Sequence, residues 1–138
     1  MARGEDGKYY IFATGMNVGV MSSDNLLTWK HEPGALKETP AWATDTVPGY
    51  RGHTWAPDIY HHNGMWYLYY SCSTFGKNGS AIGLATNKTL DPNSPDFKYT
   101  DAVEVAASDG LEDNDAIDPG LLLDPTTGRL WVCYGTYF

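Results

Sequence analysis

A turn followed by an aromatic, strand-like run occurs three times in the chain, and this repeat restricts the possible folds more than any other feature. The three segments are DGKYYIFATG, NGMWYLYYSC and TGRLWVCYGT. Their glycines, Gly7, Gly64 and Gly128, lie 57 and 64 residues apart. Asp-Gly and Asn-Gly favour tight hairpin turns because the central positions of such turns need positive φ. Each run is therefore predicted to be the second strand of a β-hairpin.

Further strands can be placed on either side of these runs. First strands are predicted at APDIYHH and at IDPGLLLD, with Pro57 and Pro119 at equivalent starting positions, since proline is tolerated where a strand begins. Third strands are predicted at VGVMSS from Val18 and at AIGLAT from Ala81. The first unit is expected to begin at its second strand. The segment 32–51, which contains three prolines, is predicted to be a loop.

Short antiparallel sheets that repeat every 57 to 64 residues are typical of a β-propeller. The aromatic runs do not alternate cleanly with polar residues, which predicts that both faces of their strands are covered. Propellers close with about four to eight blades of four strands, whereas these 138 residues supply about two to two and a half. The predicted fold is all-β: one partial propeller domain, 1–138, with units at about 2–50, 51–112 and 113–138.

The charge balance narrows the range of partners. Seventeen acidic residues against nine basic ones give a formal net charge of −8, the wrong sign for attracting phosphates or anionic lipid. No nucleic-acid partner and no membrane partner is therefore predicted. The first residues lack the apolar stretch of a secretory signal, and both a secreted and a cytoplasmic location stay open.

Residue types that bind metals are sparse, and no metal site is predicted. His61 and His62 are adjacent on a predicted strand, so their side chains point to opposite faces and chelate one ion poorly. Cys72 and Cys133 lie in separate apolar runs. They are expected to be buried free thiols, because free cysteine behaves as a small hydrophobe, with a disulfide as the alternative.

Two stretches of the sequence resemble the arabinanases of glycoside hydrolase family 43, close to endo-1,5-α-L-arabinanases. They are WAPDIYHHNGMWYLYYSCSTFGKNGSAIGLATNKTLDP and NDAIDPGLLLD. The resemblance extends over nearly the whole chain but over only about the first half of such an enzyme. It implies a five-bladed propeller with an axial active site and inverting hydrolysis of arabinan or a related oligosaccharide. The exact polysaccharide and the choice between endo and exo action stay open.

The resemblance implies a catalytic role for one carboxylate of the chain. Inverting glycosidases use a carboxylate base and a carboxylic acid about 6.5–9.5 Å apart. The family adds a third carboxylate, in an IDP motif, whose negative charge keeps the acid protonated. Ile117-Asp118-Pro119 is this motif here, so Asp118 is predicted to modulate the pKa of the acid. The family's base and acid match no residue of this chain, and Asp6, in a turn, is not expected to replace the base.

Four residues are predicted to form the substrate-binding surface. Trp55 in WAPD resembles the aromatic side chain that stacks on a sugar near the cleaved bond, with a place in the blade core as the alternative. Phe75 in STFG resembles its companion wall, with a structural role as the alternative. His53 is predicted to line the same funnel, and Ile117 of the IDP motif is included in the surface.

Two further aspartates near these motifs receive different predictions. Asp58 follows Pro57, so it corresponds to the residue after the IDP motif and is expected to make structural hydrogen bonds. Asp115 stands where the family usually has asparagine, which places an extra acid near Asp118. This replacement is expected to alter sugar contact unless Asn114 compensates.

Three functions follow from these residues. The first is an arabinan-degrading hydrolase whose chain, as given, is inactive alone; the others are a carbohydrate-binding remnant and a self-assembling propeller piece. No cofactor is predicted in this chain, although full-length relatives often hold a central calcium or sodium ion. Unpaired strand edges and uncovered apolar faces predict a homo-oligomer or a complementing propeller half as partner.

Overall fold

The computed structural model describes residues 1–100, 103–108 and 114–135. In chain order the elements are β1 (Ala2–Arg3), β2 (Tyr9–Ala13), β3 (Gly15–Met16), β4 (Gly19–Ser23), β5 (Lys30–Glu32), α1 (Ala41–Thr46), β6 (His53–His62), β7 (Met65–Ser73), β8 (Ser80–Asn87), β9 (Val103–Ala107), β10 (Ile117–Leu123) and β11 (Leu130–Gly135). Within the described residues, no helix is long and apolar enough to span a membrane.

The strands form three antiparallel sheets. The first sheet has the order β1-β2-β4-β5, the second has the order β3-β6-β7-β8-β9, and the third consists of β10 and β11. The two-residue strand β3 belongs to the second sheet although it lies inside the predicted first unit. Sheet and unit boundaries therefore do not coincide at that point.

The predicted hairpins are confirmed. Gly7, Gly64 and Gly128 have φ angles of 82°, 76° and 69°, and each aromatic run pairs with the strand before it. Asn63 also has a positive φ of 50°, which gives the Asn-Gly turn the backbone shape that asparagine and glycine tolerate best.

Two short elements correct the prediction from sequence. The first sheet does not begin at its second strand, because Ala2 and Arg3 pair with Tyr10 and Tyr9. The segment 32–51 is not all loop, because it contains α1. Two residues of strand and six of helix are too short to show a hydrophobic period, so only their neighbours in space define them.

The prediction that Pro57 and Pro119 start their strands is wrong. Both prolines lie inside their strands. Pro57 lies within β6 between Trp55 and Asp58, where the register shifts against β7. Pro119 lies within β10 at a matching shift against β11. A bulge interrupts the ladder of hydrogen bonds, so a residue without an N–H loses nothing there.

Strand β7 is covered on both faces, as predicted. Leu68 and Tyr70 belong to a hydrophobic cluster that includes residues of the first sheet such as Tyr10. Tyr69 belongs to a second cluster with Ala116, next to the third sheet. The second sheet is therefore packed between the first and the third.

The outer strand of the third sheet differs from β7. Trp131 and Tyr134 of β11 are 54% and 53% exposed, so coverage of both faces is not observed there. Cys72 of β7 is buried and Cys133 of β11 is exposed, and both are free thiols. The expectation of two buried thiols is therefore wrong for Cys133, because the exposed face of β11 has no packed layer over it in the described residues.

The carboxylate of Glu5, for which the sequence predicted no role, joins the first two sheets. Glu5, in the turn between β1 and β2, accepts hydrogen bonds from the Trp66 indole N–H (2.7 Å), the Thr89 hydroxyl (2.8 Å) and the Leu90 backbone N–H (2.9 Å). Burial alone would raise the pKa of the Glu5 carboxyl, but these hydrogen bonds outweigh it and lower the pKa below its usual value near 4.5.

Replacing Glu5 with glutamine is expected to destabilise the fold by about 1 kcal/mol at pH 7, since the carboxylate is partly exposed and its charged hydrogen bonds are correspondingly weakened. Because the Glu5 carboxyl has a lower pKa in the folded state than in the unfolded state, it stabilises the fold at pH values above the unfolded-state pKa. This stabilisation is lost as the pH falls through the folded-state pKa. The difference in melting temperature between the parent and Glu5→Gln should therefore shrink from pH 7 to pH 3. The exposed Glu38 provides the control: a similar narrowing for Glu38→Gln would contradict the assignment.

Candidate functional site

The beginnings of β6 and β10 bring Trp55 and Asp118 to the same residue of β7. Trp55 lies opposite Ser71 in the ladder between β6 and β7. The hydroxyl oxygen of Ser71 accepts a hydrogen bond from the backbone N–H of Asp118 at 2.9 Å. Two residues separated by more than sixty positions in sequence are thus held on either side of one serine.

Asp118 has an unusual backbone conformation for an aspartate in a strand. Its φ is 53°, it precedes Pro119 at the bulge of β10, and it is exposed. Ala56 has the corresponding position in β6, with a φ of 35° before Pro57. Of these two equivalent bulges, therefore, the one in the third sheet carries a carboxylate and the one in the second sheet does not.

Asp58 makes structural hydrogen bonds, as predicted. Its carboxylate accepts the backbone N–H of Ile59 at 2.9 Å and that of Leu121 in β10 at 2.8 Å. The second of these bonds ties the second sheet to the third next to the two bulges. Asp58 therefore stabilises the backbone on which the site is built.

Asp115 is buried, with 4% of its surface exposed. Its carboxylate accepts the hydroxyl of Ser80 at 3.2 Å, and the same Ser80 oxygen accepts the backbone N–H of Ala116 at 2.7 Å. The extra acid near Asp118 is therefore turned into the protein in this structure. Its predicted effect on sugar contact finds no support in this placement.

The other predicted substrate-binding residues have different surroundings. Phe75 is 89% exposed in the turn after β7. Because β6 and β7 are antiparallel, β7 ends next to the beginning of β6. His53 is exposed at the start of β6, opposite Met16 of β3. Trp55 is half-buried. These three residues lie toward the end of the second sheet at which β6 begins and β7 ends.

Ile117 does not share their exposure. Its side chain is 3% exposed, so in this structure it has almost no surface to offer a sugar. It begins β10 opposite Gly135. Its neighbour Asp118, at the bulge of β10, is exposed instead.

The described residues provide no ready donor set for a central cation. Among them, no three histidine, cysteine, aspartate or glutamate side chains are grouped closely enough to hold a metal ion. The ring of His61 lies 4.7 Å from that of Trp66, and the Nε2 atom of His62 lies 3.0 Å from the Asn63 amide nitrogen. The two adjacent histidines thus contact different neighbours.

The structure also contains a cavity, which lies away from the beginnings of β6 and β10. It has a volume of about 850 Å³ and is lined by residues 33–42 and 97–100. None of these residues belongs to β6, β7 or β10. The cavity is therefore not part of the candidate site, because Asp118 does not line it.

Sequence reasoning missed Ser71. Its position could have been recognised from the repeat, because Ser71 follows Thr14 by 57 residues, the same spacing as between Gly7 and Gly64. What the spacing could not show is that both hydroxyls accept hydrogen bonds from the next sheet.

The comparison with known families decides the relationship. The profile described as Glycosyl hydrolases family 43 matches residues 1–137. The chain belongs to this family. It is 42% identical over 135 residues to the extracellular exo-alpha-(1->5)-L-arabinofuranosidase ArbA of Cellvibrio japonicus (strain Ueda107), a match that covers 97% of the chain and 39% of that protein. It is 32% identical over 138 residues to the extracellular endo-alpha-(1->5)-L-arabinanase 1 of Bacillus subtilis (strain 168), covering 97% of the chain and 41% of that protein.

Solved structures of family 43 enzymes have the same fold. An exo-1,5-alpha-L-arabinanase from a bovine ruminal metagenomic library is 60% identical and superposes with a TM-score of 0.92, covering 98% of this chain and 44% of that one. The alpha-L-arabinanase of Cellvibrio cellulosa complexed with arabinohexaose is 42% identical with a TM-score of 0.86, covering 93% and 41%.

These comparisons confirm the predicted fold class. The family 43 arabinanases are five-bladed propellers, and this mostly-β chain forms part of one. The chain spans about 40% of the length of the curated relatives it matches. The activities of the relatives belong to their whole proteins, of which this chain matches only a part.

Proposed function

We propose that this chain carries the acid-modulating carboxylate and part of the sugar-binding surface of an inverting, arabinan-degrading glycosidase. The observation that carries the proposal is the exposed Asp118 of the IDP motif, which a hydrogen bond to Ser71 holds beside Trp55. The arabinohexaose complex of a relative that is 42% identical supports an arabinan oligosaccharide as the ligand.

Each residue has a distinct role in this proposal. The indole of Trp55 stacks on the C–H face of an arabinose ring, and Phe75 and His53 form the neighbouring walls. The negative charge of Asp118 disfavours ionisation of a nearby carboxylic acid, so that this acid stays protonated and can donate its proton to the leaving oxygen. Ile117 supports the strand from its buried position rather than touching the sugar.

The chain alone is proposed to bind sugar without hydrolysing it. Inverting hydrolysis needs a base and an acid about 6.5–9.5 Å apart, in addition to the modulating carboxylate. The two aspartates near Asp118 are already engaged, Asp58 with backbone N–H groups and Asp115 with Ser80. In this proposal both carboxylates serve the frame of the site, and neither supplies the base or the acid.

The test combines two measurements on the chain as it stands. Reducing ends released from linear arabinan should not exceed those of a buffer blank, while titration with arabinohexaose should quench tryptophan fluorescence in a saturable way. Release of reducing ends would contradict the proposed inactivity, and absence of binding would contradict the proposed sugar surface. Absence of both would favour the self-assembling piece.

One observation favours self-association as a second property. Large apolar side chains are exposed on the third sheet, with Leu122 at 65% and Trp131 at 54%, and on the edge strand β9, with Val103 at 53%. Exposed apolar faces and unpaired strand edges favour association. Such surfaces would be covered by a second copy or by a complementing propeller half.

The chain is therefore expected to sediment as a dimer or larger species at micromolar concentration. Replacing Leu122 and Trp131 together with threonine should shift the distribution toward the monomer, because both changes remove apolar surface while keeping strand propensity. The exposed Leu27, in the turn between β4 and β5, offers a control substitution outside these strands. A 15.2 kDa monomer with a cooperative melt would contradict the expectation.

A further inference from the structure

We propose that Ser71 is a positioning residue that holds the Asp118 carboxylate in the direction the reaction requires. This inference rests on the role of Asp118 proposed above. It assigns to a buried serine, which contacts no sugar itself, the task of fixing the backbone from which the carboxylate projects.

The backbone at Asp118 needs such support. A non-glycine residue with positive φ is strained and persists only where its surroundings hold it. The φ of Asp118 is 53°, and Pro119 further limits the conformations open to the residue before it. If the N–H of Asp118 lost its acceptor, the residue could relax toward negative φ, and its side chain would then point elsewhere.

Ser71 is well placed to provide this support. It is fully buried at 0% exposure and lies in the middle of the second sheet, paired with Trp55 on one side and with Ile82 on the other. Its backbone is therefore fixed by strand pairing on both sides, and its buried hydroxyl projects from this fixed position. The 2.9 Å bond from Asp118 N–H ties the position of the carboxylate to that of Trp55.

The second sheet contains the same arrangement without a carboxylate. The backbone N–H of Ala56 donates to the hydroxyl oxygen of Thr14 at 3.1 Å, and Ala56 also has positive φ and precedes a proline. A hydroxyl at the end of one hairpin thus supports the bulge of the next sheet in both cases. At Ala56 the device can only shape the backbone, whereas at Asp118 it also directs a charge.

This difference provides a matched pair of variants. Ser71→Ala and Thr14→Ala each remove one hydroxyl acceptor from one bulge. The intraresidue NOE between the amide and α protons is strong when φ is positive, and it reports the two bulges separately. Ser71→Ala should weaken this NOE at Asp118 but not at Ala56, and Thr14→Ala should do the reverse.

Sugar binding distinguishes positioning from simple structural support. Besides acting on the acid, the exposed Asp118 carboxylate is proposed to contact the bound sugar itself, so its displacement should weaken binding. The Kd for arabinohexaose should then rise about fivefold in Ser71→Ala, the loss expected for one misplaced contact of a charged group, and should stay unchanged in Thr14→Ala. Ser71→Thr keeps a hydroxyl, as Thr14 has at the equivalent position, and should retain both the NOE at Asp118 and the parent Kd. An equal rise in Kd in the two alanine variants would overturn the inference.

Two further readouts keep the test decisive. In the parent chain, the Asp118 amide should exchange at least about tenfold more slowly than an unprotected amide although the residue is exposed, and this measurement needs no variant. An unprotected Asp118 amide, or an unchanged NOE in Ser71→Ala, would show that the bulge holds itself. Failure of the parent chain to bind arabinohexaose would instead contradict the proposed function, while the NOE and exchange data would still decide whether Ser71 holds Asp118.

Discussion

Replacing Gly83 with alanine is expected to destabilise the chain by about 3 kcal/mol, near the upper end of the cost of overpacking a core. Gly83 lies opposite Tyr70 in the ladder between β7 and β8. A Cβ added there would lie 2.5 Å from the Cζ atom of Tyr70 and 2.6 Å from its hydroxyl oxygen. Tyr70 is fully buried, so a shift of its ring would disturb the packing around it.

Thermal unfolding followed by circular dichroism measures this effect, and a loss of about 3 kcal/mol corresponds to a fall in Tm of roughly 10 °C. Gly79 is the matched control, because a Cβ there would meet nothing within 4 Å. Gly79→Ala should therefore leave Tm nearly unchanged or raise it slightly, since alanine restricts the unfolded chain. Equal melting temperatures for Gly83→Ala and the parent would show that the second sheet tolerates the displacement of Tyr70.

Replacing Trp55 with alanine is expected to weaken arabinohexaose binding by about 1–3 kcal/mol, a range taken from the stacking of nucleic-acid bases on aromatic side chains. The expected rise in Kd is thus about fivefold to 150-fold. Trp55 is half-buried and lies opposite Ser71, which binds the backbone N–H of the exposed Asp118, so the proposed stacking uses the exposed part of its ring. Isothermal titration with arabinohexaose measures the change.

Trp131 provides the control for this prediction. It is a tryptophan of β11 with 54% exposure, paired with Leu122 at the far end of the third sheet from Asp118. Trp131→Ala should leave the Kd for arabinohexaose unchanged. A large drop in Tm for Trp55→Ala without a change in Kd would favour the alternative that Trp55 is a core residue of the blade.

The repeated hairpins could be predicted from the sequence because their signal is local. A residue pair such as Asn63-Gly64 favours positive φ whatever surrounds it, and the aromatic runs that follow have high strand propensity. The resemblance to family 43 rests on contiguous motifs and was confirmed over residues 1–137. The assignment of Asp118 to the acid-modulating role also comes from such a motif, and it stays a prediction.

Only the tertiary structure decided how these elements meet. The hydrogen bonds of Ser71 to Asp118 and of Asp58 to Leu121 join residues 47 and 63 positions apart, and Glu5 reaches Leu90 across 85. Short-range patterns carry no information on such distances, because they depend on how whole sheets stack.

Burial followed the same division. Strand positions of Ile117 and Cys133 were recognisable from their apolar runs, but which of them is covered depends on the neighbouring layer. Ile117 begins β10, where the third sheet packs against the second, and is 3% exposed. Cys133 lies on β11, away from that contact, and is exposed. The sequence alone determined the backbone shape of the hairpin turns and the family membership. Side-chain burial, the strand bulges and the contacts between sheets were decided by packing, since these depend on residues distant in the chain.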